Sequence, residues 1–239
     1  MDNATYATLT RQMGLFNELQ VVANNIANAS TTGFQAEGVM FSEHVSALGA
    51  DHPSLSMARA NVRGTDTTQG SLKQTGGPFD LAIEGPGYFL VQTPNGERLT
   101  RAGSFTPNEN GDLVTMDGNP VLDAGGAPVF VPQGLGAISI AADGTISAAG
   151  QPIGQVGLFV PIDPNRMVRE GGTMFNALAG FEELQDGRMV QGFLEASNVN
   201  PITEVSRMIQ VQRAYELGQS FLDKEDDRVR NMIRAMGRR

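Results

Sequence analysis

Apolar positions repeat with a helical period at the two ends of the chain and with a strand-like period between them. Over residues 3–28, Tyr6, Leu9, Met13 and Phe16 fall on one stripe, and Leu15, Leu19, Val22 and Ile26 fall on a second stripe beside it. Together the stripes cover more surface than one partner helix occupies. Gly14 is a flaw of about 1 kcal/mol that such a helix tolerates. Ser30-Thr31-Thr32-Gly33 ends it with turn-forming residues. At the other end, Asn200-Pro201 signals a helix start, an asparagine cap followed by proline at the first helical position. From there Met208, Val211, Tyr215, Gly218, Leu222, Glu225, Val229, Met232 and Met236 keep an unbroken 3-4 spacing, and seven of the nine are apolar. A 3.5-residue repeat held over that length predicts a coiled-coil seam. At ~1.5 Å per residue the helix reaches roughly 55 Å, more than a small β-domain covers, so it needs a partner helix.

Between the ends the punctuation changes. Of the 29 glycines, 23 lie between Gly64 and Gly192, and ten of the twelve prolines lie there too. Asn95-Gly96, Asn110-Gly111, Asp117-Gly118, Asp143-Gly144 and Asp186-Gly187 mark tight turns. Runs such as Phe79–Ile83, Tyr88–Val91, Ile138–Ile140 and Val156–Val160 supply the strands. The pattern predicts an α+β chain: long N- and C-terminal helices forming a coiled-coil assembly domain, and a central glycine-rich antiparallel β-domain. The expected divisions are an assembly helix over 1–30, an extended linker arm over 31–69, the β-domain over 70–192 and a coiled-coil assembly helix over 193–239. Two amphipathic ends around one globular middle must pair with each other or with other copies, since a short isolated helix is marginal in water. This architecture suits a self-assembling subunit.

Composition narrows the chemistry. The 239 residues contain no cysteine and two histidines, which excludes a disulfide scaffold, a thiolate zinc site and a cysteine nucleophile. A net charge of −9 disfavours non-specific binding to nucleic acid or anionic lipid. No apolar run is long enough for a membrane-spanning helix. The opening Met1-Asp2-Asn3-Ala4-Thr5-Tyr6 lacks the basic and apolar regions of a cleaved secretory signal.

The candidate reactive groups read as structural. Asp80 and Glu84 are a tempting carboxylate pair, but four residues apart in a strand they are separated by roughly 13 Å, too wide for either glycosidase geometry. Arg101 pairs with a local carboxylate more readily than it binds an anion. His44 beside Glu43 and His52 after Asp51 match no common metal-ligand spacing. Gly85-Pro86-Gly87 lacks the lysine of a phosphate loop, and neither Ser104 nor Ser139 has a histidine base in reach of its sequence context. Along the last helix the acidic run Asp223–Asp227 precedes Arg228, Arg230, Arg234, Arg238 and Arg239, an order that suits i,i+3 and i,i+4 pairs and the helix dipole. A β-rich hydrolase or carbohydrate-binding module, or an adhesin with helical ends, remains as an alternative class with little to carry it.

Three blocks together resemble one family. The first runs from Leu15 through Val22-Ala23-Asn24-Asn25-Ile26-Ala27-Asn28-Ala29-Ser30-Thr31-Thr32-Gly33-Phe34. The second is Gly192-Phe193-Leu194-Glu195-Ala196-Ser197-Asn198-Val199-Asn200, continued by Glu204, Met208-Ile209 and Gln212–Glu216. The third is Gly70–Gly76 with Asp80–Gly85 and Thr100–Phe105. They are similar to the axial proteins of the bacterial flagellum, the rod and hook subunits, and the resemblance spans nearly the whole chain. Departures are Ala29-Ser30, where valine or leucine before asparagine is usual, Thr32, often proline, and Gln35, usually lysine. The opening residues and the short length resemble proximal-rod members more than distal-rod members. The resemblance implies a structural subunit of a helical tubular drive shaft that transmits torque. It implies as partners other copies, other rod subunits and the flagellar export apparatus, with no nucleic acid and no membrane insertion. It also implies a periplasmic basal-body location reached without signal cleavage, and no cofactor, metal or catalysis.

The motifs also make sense as packing devices. Three asparagines at Asn24, Asn25 and Asn28 are poor helix formers and need partners for their amides, while Ala23 and Ala27 permit close approach. The expected assembly interface is Leu15, Leu19, Val22, Asn24, Asn25, Ile26, Asn28, Asn198, Met208, Val211, Tyr215, Leu222, Val229 and Met232.

Overall fold

The computed structural model describes residues 2–46, 55–132, 134 and 136–237, with side chains described outside residues 2–6, 40–46 and 55–63. The chain separates into two compact units interleaved along the sequence. One is built from Met1–Ala27, Glu37–Asp66 and Asn200–Arg239; the other from Asn28–Ala36 and Thr67–Val199.

The first unit holds helix α1 (Asp2–Ala27), strands β1 (Glu37–Ser46) and β2 (Leu55–Thr65), and, at the far end of the chain, a 36-residue helix from Pro201 to Met236. β1 and β2 form an antiparallel ribbon, Glu37 opposite Thr65, with a bulge between Met40 and Phe41. Residues 31–69, expected as an extended arm, therefore carry a strand pair, and it packs along α1. Its apolar residues keep only a weak period in the sequence, and pairing supplies the backbone order instead.

The second unit is a set of small antiparallel sheets. Its first strands are β3 (Leu72–Gln74), β4 (Leu81–Glu84), β5 (Tyr88–Thr93), β6 (Gly96–Thr100), β7 (Phe105–Pro107) and β8 (Leu113–Thr115). There follow β9 (Ile138–Ile140), β10 (Thr145–Ala148), β11 (Gln151–Gln155), β12 (Leu158–Pro161), β13 (Met167–Arg169) and β14 (Met174–Ala177). The last are β15 (Phe181–Glu183), β16 (Arg188–Gln191) and β17 (Phe193–Glu195), after which the chain enters helix α2 (Pro201–Met236). The largest sheet has the order β13-β14-β6-β5-β12-β15. Its centre, β5, is buried on both faces, which is why Tyr88–Val91 reads as a continuous apolar run. Phe89 and Val91 face one core, with Leu81, Ile83, Leu113 and Ile146. Tyr88 and Leu90 face another, with Leu99, Phe159 and Phe175. The turn glycines Gly96, Gly111, Gly118 and Gly144 have positive φ, as tight turns require.

One expectation is overturned. Two α-helices stand at the ends of the described chain, but they do not form long coiled coils. α1 and α2 lie antiparallel, and Val211 is the buried residue of α2. Seam positions Val229 and Met232 are 40% and 36% exposed. The 3-4 repeat is real in sequence, yet α1 is ten residues shorter than α2 and cannot cover it. Among the buried α1 residues, polar Gln12, Glu18 and Asn25 stand beside apolar Leu15, Val21 and Val22.

Candidate assembly surface

In the helical unit, the face that α1 turns inward is Gln12, Leu15, Glu18, Val22 and Asn25, all buried. Leu15 and Val22 belong to the expected stripe; Leu19 and Ile26 are half-buried at its edge. The other apolar stripe points outward, with Leu9, Met13 and Phe16 at 48%, 63% and 52% exposure. Polar residues displace it because each finds a specific partner. Asn25 Nδ2 donates to the Glu37 carbonyl at 2.8 Å, and Asn25 Oδ1 accepts from the Glu37 N–H at 3.0 Å. The amide thus stands in for a strand neighbour at the first residue of β1, and it also donates to Glu204 Oε2 on α2. Arg207 of α2 donates to buried Glu18. Gln12 Nε2 donates to the Tyr215 carbonyl at 2.8 Å. These pairs, 25 with 204, 18 with 207 and 12 with 215, set the antiparallel register.

Gly218 explains one break in the α2 repeat. A Cβ there would lie 2.3 Å from Gln12 Nε2, so the glycine admits the glutamine amide. Met208, Tyr215 and Leu222 are half-buried along the same side, while Val229 and Met232 lie past the paired stretch. Asn24 is half-buried and is not without a partner.

In the β-rich unit, the segment that follows α1 is threaded into the sheet. Gly33 has φ +67°, donates to the Glu195 carbonyl at 2.8 Å, and comes so near Arg101 and Ala102 that a Cβ would sit 2.3 Å from Ala102 N. Phe34 is buried beneath Arg169, whose guanidinium lies 4.4 Å from its ring centroid and 4.5 Å from that of Phe175. Gln35 accepts from the Tyr88 hydroxyl at 3.0 Å, and burial pushes the Tyr88 phenol pKa up. Asn198 accepts from the Ala36 N–H at 2.6 Å and donates to the Thr68 carbonyl at 2.9 Å, tying the incoming and outgoing segments together. Asn28 accepts from the Thr31 hydroxyl in the turn between. Asn200 caps α2, accepting from the N–H groups of Ile202 and Thr203, as the Asn-Pro signal predicts.

Arg101 does take a carboxylate, though not a local one. It pairs with Glu195 at 3.0 Å, the two side chains being 3% and 2% exposed, and it donates to the Gly85 carbonyl. Glu195 also accepts from the Gly70 N–H. The Asp80 and Glu84 carboxylates are occupied separately: Asp80 accepts from the Thr75 hydroxyl, and exposed Glu84 stands 3.9 Å from Arg188. Glu170 is held below the usual carboxylate range by Asn176 and then by Arg98. The side chains of Tyr6, Glu43 and His44, with Asp51, His52, Arg238 and Arg239, lie outside the described residues.

Gly218 reads in the sequence only as a non-apolar position in the α2 repeat, and Gln12 and Glu18 escaped the sequence reading. Their signal was the 3-3-4-3 spacing of Gln12, Leu15, Glu18, Val22 and Asn25, which a search for apolar stripes discards.

Three family models match the chain: "Flagella basal body rod protein" over residues 9–35, "Flagellar hook protein FlgE/F/G D1 domain" over 82–148, and "Flagellar basal body rod FlgEFG protein C-terminal" over 190–235. The flagellar basal-body rod protein FlgF of Caulobacter vibrioides is 39% identical, over 100% of this chain and 99% of its own. FlgF of Mesorhizobium japonicum is 39% identical over 99% of both chains. The flagellar basal-body rod protein FlgG of Bacillus subtilis is 30% identical over 98% of both. The matched segments at the two termini coincide with the polar clamps and the threaded Gly33-Phe34 segment, and with full-length identity at this level the chain belongs to the flagellar basal-body rod protein family.

Proposed function

We propose that this chain is a structural subunit of the proximal part of the flagellar basal-body rod, acting by non-covalent assembly and not by catalysis. The observation that carries the reading is end-to-end similarity, at 39% identity, to proteins named FlgF. The helical unit is consistent with it. Leu9, Met13 and Phe16 on α1, and Ile202, Val205, Ile209, Leu217 and Phe221 on α2, leave apolar rows exposed that a solitary soluble subunit has little use for. Contacts of this kind between unlike surfaces, where the rotation between copies does not close a ring, build a helical tube, the form a torque-bearing shaft requires. Its partners are then further copies and other axial subunits. Its route is export by the flagellar apparatus, and its place is the periplasmic rod.

Isolated basal bodies imaged by cryo-electron microscopy, with gold-labelled antibody against this chain, test the proposal. Gold and matching density are expected on the rod at its inner end. Label confined to the cell exterior, or absent from basal bodies, overturns it.

A further inference from the structure

In the β-rich unit three turns converge on an open cleft of about 820 Å³, within the ~300–1,000 Å³ typical of small-molecule sites. The turn between β5 and β6 brings Asn95, the turn after β8 brings Asp117 and Asn119, and the turn between β13 and β14 brings Gly171, Gly172 and Thr173. The charged pair in the lining is self-contained. Buried Arg98 gives Nε and Nη2 to Glu170 at 2.8 and 2.7 Å, and Nη1 to the Glu97 carbonyl at 2.8 Å. The other Glu170 oxygen accepts from Asn176 at 2.9 Å. Neither group is left over to hold an ion, and together they add no net charge.

The three side chains on the turns are the opposite case. Among the described residues, the side chains of Asn95, Asp117 and Asn119 make no hydrogen bond and no ion pair. Their backbones are nonetheless fixed. The Asn95 N–H donates to the Thr93 hydroxyl at 3.2 Å. The Asn119 N–H donates to the Thr115 hydroxyl at 3.2 Å, and its carbonyl accepts from the Thr115 N–H at 2.9 Å. The Gly118 N–H donates to the Thr115 carbonyl at 2.9 Å. Two amides and one carboxylate are therefore presented unspent on ordered turns, which lowers the cost of using them.

Amides and carboxylates carry paired, coplanar hydrogen-bonding atoms, a pattern that adjacent hydroxyls on a sugar ring complement. The one uncompensated charge is the Asp117 carboxylate, which repels phosphates and other anions. Pro94 and Met174 are the apolar residues of the lining, too little surface for an apolar ligand. We infer that this cleft binds an uncharged oligosaccharide through the side chains of Asn95, Asp117 and Asn119. No aromatic ring lines it, so stacking adds nothing and the Kd is about 1–10 mM. The inference goes beyond the rod-subunit reading and does not depend on it.

The test is an amide-correlation NMR titration of the dilute full chain with N,N′,N″-triacetylchitotriose and with maltotriose, and separately with trilysine and with inorganic phosphate. At least one of the two sugars should shift the amides of residues 95–96, 117–119 and 171–173 while those of β9, β10 and β11 stay fixed. The stronger of the two identifies the preferred ring substituents. Asp117→Ala and Asn119→Ala should each weaken binding about fivefold, the worth of one hydrogen bond. Asp117→Asn keeps an acceptor and removes the charge, so it should stay within about twofold of the parent. No shift with either sugar, shifts centred on other residues, a larger response to trilysine or phosphate, or a fivefold loss in Asp117→Asn would each overturn the inference. The unsubstituted chain decides the matter even where a variant fails to fold.

Discussion

Asn25 and Arg101 are each a polar side chain in a place where a hydrophobic one would pack, and each is tolerated because it meets specific partners there. Asn25 uses both ends of its amide on the backbone of Glu37. Arg101 meets Glu195 deep in the β-rich unit and ties it to the Gly85 carbonyl. A buried ion pair contributes little net stability, but removing one partner strands the other. Arg101→Met should therefore cost the β-rich unit about 3–5 kcal/mol, and the double variant Arg101→Met with Glu195→Leu should recover most of it. Urea unfolding followed by circular dichroism measures both. Equal losses in the single and the double variant would mean that Glu195 is not the group stranded.

At the scale of elements, α2 shows why a perfect repeat need not make a seam. Its 3-4 series is interrupted by Gly218, which a search for apolar positions treats as a gap, yet that gap receives the Gln12 amide. Replacing a mid-helix glycine by alanine ordinarily stabilises by about 1 kcal/mol. Gly218→Ala should gain little or nothing, because the new methyl drives Gln12 off the Tyr215 carbonyl. In a Gln12→Ala background the same substitution should recover the full gain of about 1 kcal/mol. Thermal unfolding of the helical signal in the four proteins completes the cycle, and a full gain from Gly218→Ala alone would refute the steric account.

At the scale of the molecule, two units share one chain that passes between them repeatedly, at residues 27–28, 36–37, 66–67 and 199–200. Each nonetheless has its own buried contacts: Val211, Leu15 and the Asn25 clamp in one, and the two apolar clusters around β5 in the other. A charge placed at the one buried α2 position should open the first and spare the second. With Val211→Asp, amide exchange of α1 and α2 should accelerate strongly while that of β5, β6 and β12 stays within about twofold of the parent. Acceleration in both units would show that they unfold together.

The sequence by itself determined the elements whose cause is local. The helix stop before the Ser30–Gly33 turn run, the helix start at Asn200, turns at Asn95-Gly96 and Asp143-Gly144, and the strand Tyr88–Val91 follow from backbone preference and apolar period. The family followed too, because its blocks are contiguous runs of residues. Tertiary structure alone decided which face of α1 turns inward, since Gln12, Glu18 and Asn25 are buried only where Tyr215, Arg207 and Glu37 come to meet them. It also decided that Glu37–Ser46 pairs with Leu55–Thr65 as a ribbon, that Arg101 finds its carboxylate 94 positions away, and that Gly33 must lack a side chain. A periodicity argument treats every polar residue as a vote for solvent. A hydrogen bond between residues distant in the chain reverses that vote, and the chain passing through space is the only place where such a partner is found.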